Sequence, residues 1–195
     1  MPGNAPPVDD EKGQLLAFLE QQRLVLRLAA YGLTDEQARR SPSASELSVA
    51  GLVNHAANVE RSWMDTVLER QRPADGASDA NDRGFDPGAD RSLESILAGY
   101  EQAAAETDAI IDRLDLDRPV PVPKGVPWFP DDLDAWTVRW VLLHLITETA
   151  RHAGHADVVR ETVDGATAFP LMAAAEGWPA TPWLQPWIPD APIGG

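Results

Sequence analysis

Residues 144–161 read HLITETARHAGHADVVRE and place three of the chain's four histidines and one glutamate within a helical pattern. At about 100° per residue, with His144 at zero, His155 falls at about 20°, Glu148 at about 40° and His152 at about 80°. Trp140, Val141, Leu145, Ala156 and Val159 share that side, whereas Arg139, Asp157 and Glu161 lie opposite. The polar stripe is therefore predicted to face the core. For any single histidine a hydrogen-bonded core position is the simpler reading, and His144 fits it. Glu148 changes the balance. A carboxylate buried without a partner costs on the order of several kcal/mol or protonates, and a cation shared with neutral imidazoles removes that penalty.

Glu148 and His152 stand four apart, the spacing that brings two side chains of one helix together. An earlier segment supplies a counterpart: Leu52, Val59, Trp63 and Val67 form an apolar arc with His55 at its edge. An acid and a histidine on one helix, completed by a histidine from a facing helix, is how metal sites are built in bundle cores. The set His55, Glu148 and His152 leaves coordination positions open for water or substrate, the arrangement of a catalytic rather than a structural zinc. The same donors suit non-haem Fe(II), and nickel is a further candidate. A divalent metal is expected, zinc first.

Working outward, four long segments carry helical periodicity and are separated by stretches rich in Pro, Gly and Asp. The first runs over about 9–31 and ends at Gly32, after which Thr34 caps a short turn. The second starts with Ser48 as N-cap and ends before Pro73; the third starts at Ser92; the fourth starts near Thr137 and stops at Gly165. The connection over 72–91 is long enough to return along a bundle about 30 Å tall, so that the second and third helices run parallel. The connection over 115–135, with five prolines, is expected to wrap the bundle in extended form. This makes residues 1–165 a four-helix bundle and residues 166–195 a Trp/Pro-rich tail. Three indoles in that tail are too much apolar surface to leave in water, which predicts either a homodimer or a monomer with the tail folded back.

The formal net charge of -15, from 16 basic and 31 acidic residues, would repel nucleic acid and anionic membrane surfaces, which bind mainly through Lys and Arg. With no cysteine, the chain has no disulfide and no thiol nucleophile of its own. Any thiol chemistry must import its sulfur. The N-terminal MPGNAPPVDDEKG lacks the basic and apolar regions of a signal peptide, and no run of about 18 apolar residues is present, so the expected location is cytoplasmic.

In VNHAANVERSW and HLITETARHAGHAD, and over about residues 12–165, the chain resembles the DinB-like superfamily. That resemblance implies an all-α, up-down-down-up four-helix bundle with a metal held by one histidine of the second helix and a pair from the fourth. Most members carry HxxxH on the last helix. Here Glu148 takes the first place, giving ExxxH with His152, as in the mycothiol-dependent maleylpyruvate isomerases with their His, Glu, His zinc site. The longer run WTVRWVLLHLITETARHAGHADVVRETVDG is similar to a branch labelled mini-circle protein or DinB family. The isomerases have an additional C-terminal domain, where this chain has its Trp/Pro tail.

The resemblance implies a metal-dependent thiol S-transferase or thiol-assisted isomerase acting on a low-molecular-weight thiol such as mycothiol and a small electrophile. His55, Glu148 and His152 are then the ligands. His155 is the catalytic base beside them or a fourth ligand, and His144 orients the site or packs. Arg61 or Arg151 would assist an anionic substrate. A non-catalytic metal-containing binding protein and a metal-dependent hydrolase are the alternatives from the same residues.

Overall fold

Each long helix begins where a short polar side chain can accept a hydrogen bond from an otherwise unpaired first-turn N–H. The computed structural model describes residues 3–70 and 85–189. In it Asp10 caps α1 (Glu11–Ala29) and Thr34 closes a capping box on α2 (Asp35–Ala38). Ser48 caps α3 (Val49–Val67), Ser92 caps α4 (Leu93–Asp112), and Thr137 caps α5 (Val138–Asp164). Gly165, at φ +77°, ends α5 in the left-handed region that favours glycine.

Two apolar clusters fix how the helices run. One joins the C-terminal half of α1 (Leu26, Ala29), the starts of α3 (Leu52, Val53) and α4 (Leu93, Ile96), and the end of α5 (Ala153, Ala156). The other joins Leu19 of α1 to the ends of α3 (Trp63, Val67) and α4 (Ile111) and to the start of α5 (Val138 to Leu145). Helices α1 and α5 therefore point one way and α3 and α4 the other, which is an all-α, up-down-down-up bundle of the DinB-like kind. The long connection expected over 72–91 lies for the most part outside the described residues. Among the described residues no helix is long and apolar enough to cross a membrane.

An ion pair crosses the interior of the bundle. Arg23 of α1, fully buried, donates from Nε and Nη2 to the two carboxylate oxygens of Glu60 on α3 at 2.9 and 2.7 Å. Its Nη1 reaches Asp108 of α4 at 2.9 Å. Burial by itself would lower the Arg23 pKa, but these carboxylates outweigh it and push the pKa up. One guanidinium thus ties three helices together.

Two regions outside the bundle helices carry regular structure of their own. Strands β1 (Pro119–Pro121) and β2 (Ala135–Thr137) pair antiparallel with Val120 opposite Trp136, and both of those side chains are buried. Flanking bonds from Val122 N to Asp134 O and from Val138 N to Arg118 O put the even-numbered residues of β1 against β2. By alternation Pro119 and Pro121 turn their donorless nitrogens away from the partner strand. In the tail, α6 (Ala168–Ala175) is a helix that buries Leu171 and Met172 against Leu28 of α1. Its segment was too short and too uniformly apolar to show a period.

Beyond α6 the three indoles separate. Trp183 is 79% exposed. Trp187 instead donates from its backbone N to Pro170 O at 2.9 Å, and its ring lies 4.8 Å from the guanidinium of buried Arg160. A Cβ at Gly32 would stand 2.5 Å from Cζ3 of that ring, so the indole seats where glycine leaves room. Truncation after Gly177 removes this cover and is expected to cost about 2 kcal/mol, the order of a partly buried large aromatic, or roughly 4–8 °C in thermal midpoint. An unchanged midpoint in a thermal melt would make the tail a passive appendage.

Candidate metal centre

Antiparallel packing of α3 against α5 sets His55, two turns into α3, opposite the middle of α5, where Glu148 and His152 stand one turn apart. The Glu148 Oε1 lies 3.1 Å from His152 Nε2 and 3.5 Å from His55 Nε2. One ligand atom from each of the three residues falls within 4.8 Å of the others. A tetrahedral ion with bonds of about 2.0–2.1 Å holds its ligand atoms about 3.3 Å apart, so this spacing fits a divalent metal with little movement. The donor chemistry fits as well: two imidazoles and a single carboxylate. Hydrogen bonds from His152 first, and then His55, hold the Glu148 carboxyl well below its ordinary range, so that it stands ready as an anion.

The orientation of His152 favours ligation. Its Nε2 faces Glu148 while its Nδ1 lies 3.4 Å from Nδ1 of His155. Nε2 donates to Glu148 here; to ligate an ion, the ring would carry its proton on Nδ1 and present the Nε2 lone pair to the site. His155 itself is exposed, against the expectation of an inward stripe. The buried seam of α5 runs through Val141, Leu145, Thr149, His152, Ala156 and Val159, centred about 100° round the wheel from His144. His152 lies in that seam; Glu148 and His155 lie on its flank. His152 and His155 line a cavity of about 1020 Å³ together with Phe85, Arg39, Ser45 and Asp86.

His144 is one turn away and belongs to a different arrangement. Its ring stacks on Trp140 at 5.4 Å, Trp140 stacks on Trp136 at 4.5 Å, and Trp63 packs against His144 at 4.7 Å. Burial lowers the His144 pKa, opposed by the charge of Glu148, and this aromatic packing accounts for the residue without a metal. Of the two arginines expected to help an anionic substrate, Arg61 donates to Gly99 O of α4 at 2.6 Å and Arg151 is exposed. The arginine on the cavity wall is Arg39, which sequence reasoning missed along with Phe85, whose ring stacks on His55 at 4.1 Å. Neither residue belongs to a periodic pattern, and the isolated aromatic before Asp86-Pro87-Gly88 was the one available cue.

The comparisons with known proteins agree with this architecture. A crystal structure of a conserved protein from Enterococcus faecalis is similar in fold, with a TM-score of 0.59 over 82% of this chain and 100% of that one, at 13% identity. No curated protein matches the chain. The family model described as mycothiol-S-transferase matches residues 14–165, the four-helix bundle with all three candidate ligands. The chain belongs to the mycothiol-S-transferase family, one of the DinB-like families.

Proposed function

We propose that the protein is a metal-dependent thiol S-transferase that joins a low-molecular-weight thiol, mycothiol first, to a small electrophile, with His55, Glu148 and His152 as ligands and zinc as the metal. The observation that carries this reading is the convergence of those three donor groups, one of which, His152, lines a cavity. A divalent metal bound there lowers the pKa of a coordinated thiol and so makes a thiolate available near neutral pH. The chain brings no sulfur of its own, and the family is named for a thiol.

The residues divide the remaining work. His155 is exposed on the cavity wall and accepts the thiol proton at the lone pair of its neutral imidazole, passing it on to solvent. The sulfur then forms a bond to the electrophilic carbon as the bond to the leaving group breaks with its electron pair. Polar groups on the cavity wall, among them Ser45, Glu46 and Asp86, suit the hydroxyl-rich body of such a thiol.

The test is conjugate formation by the metal-loaded protein with mycothiol, bacillithiol, glutathione or coenzyme A and a haloaromatic electrophile. Mycothiol is expected to give the fastest conjugation, and the Glu148→Ala protein is expected to fall to the uncatalysed background. Equal rates for the two proteins with every thiol would count against the reading and favour a binding protein.

A further inference from the structure

The segment 85–92, which leads into α4, is clamped onto the start of α3. Buried Asn54 donates from Nδ2 to Asp86 O at 3.2 Å and accepts at Oδ1 from Arg91 Nη1 at 2.7 Å. Arg39 donates to the carbonyls of Gly88, at 2.8 Å, and Arg91. Asp86 Oδ1 accepts from Gly88 N at 2.8 Å and closes the turn. Asn54 immediately precedes His55, so the clamp and the candidate ligand share one turn of helix.

The clamp fixes a ring over the candidate centre. Phe85 lies nearly parallel to the His55 imidazole, with centroids 4.1 Å apart and planes at 19°. The same ring meets His152 edge-on at 5.5 Å and 62°. A single apolar side chain therefore touches both imidazoles. Its approach depends on Gly51, one turn before His55: a Cβ at position 51 would lie 2.3 Å from the Phe85 carbonyl oxygen, far inside van der Waals contact. Glycine inside a helix is otherwise unfavourable, so its place here is explained by the close approach of the segment.

We propose that Phe85 is a positioning residue of the metal centre, holding the His55 and His152 rings in their ligating orientation, and that Gly51 and Asn54 set where Phe85 stands. The proposal rests on the reading of His55, Glu148 and His152 as ligands. A flat ring against the face of His55 restricts rotation about its last side-chain torsion and keeps Nε2 aimed at Glu148, 3.5 Å away. Groups that orient ligands without touching the ion set metal affinity, and losing one typically weakens it about 10–100-fold.

The experiment measures zinc affinity by competition with a chromophoric chelator, and the visible spectrum after cobalt loading, on the full chain. Phe85→Leu keeps apolar volume but removes the flat face; Gly51→Ala drives the segment away while favouring the helix. Both are expected to bind zinc about 10–100-fold more weakly and to shift the cobalt bands with unchanged helical content. Phe85→Tyr, which keeps the ring face, is expected to match the parent. Gly154→Ala, also within a helix but with nothing within 4 Å of its added Cβ, controls for a general glycine effect and is expected to match the parent too. Parental affinity and spectrum in Phe85→Leu would overturn the positioning role. Failure of the parent chain itself to bind zinc or cobalt would instead overturn the ligand reading.

Discussion

The Glu148→Ala protein is expected to come through purification with almost no metal, its affinity reduced at least about a hundredfold. Loss of an outer residue already costs about 10–100-fold, and Glu148 supplies the one anionic donor among the three grouped side chains. Its Oε1 lies between the two imidazoles, within 3.5 Å of each Nε2, so its removal separates His55 from His152 as well as taking away a charge. His55→Ala and His152→Ala are expected to lose metal as completely. His144→Ala is expected to keep it, because that ring is held in the Trp136, Trp140 and Trp63 stack. Elemental analysis of the four proteins decides the matter, and full stoichiometry in any of the first three removes that residue from the ligand set.

Replacing Glu60 with alanine is expected to destabilise the fold by about 3–5 kcal/mol, or roughly 6–20 °C in midpoint, because it strands the fully buried guanidinium of Arg23. The partners that remain are Asp108 and Glu20, whose side chains are 45% and 40% exposed, so water screens what they offer. A buried charge that loses its partner is costly even where the intact pair adds little. Glu60 stands five residues beyond His55, about 140° round α3, and metal content is expected to stay at the parental level. Urea unfolding checks the energy. A loss below about 1 kcal/mol would mean that Arg23 relaxes onto the rim carboxylates and that the pair does not hold the three helices together.

What the amino-acid sequence settles by itself is local. Ser48, Ser92 and Thr137 mark helix starts, and Gly165 marks an end, because a cap is an interaction among residues within a few positions of one another. Glu148 and His152 were legible as a pair for the same reason, their spacing being one turn. His55 could be matched to them because an apolar arc assigns a helix face before the partner helix is known. Three features required the packed molecule. The rotation of α5 that buries His152 and exposes His155 is set by its packing against α1 and α3, which moves the seam round the helix by about the width of the polar stripe itself. Strands β1 and β2 form because Val120 and Trp136 share one core, a contact between positions sixteen apart that no period encodes. Phe85 reaches His55 only because Gly51 leaves space for its backbone, and a vacancy created by the absence of a side chain becomes visible only when the segment that fills it is in place.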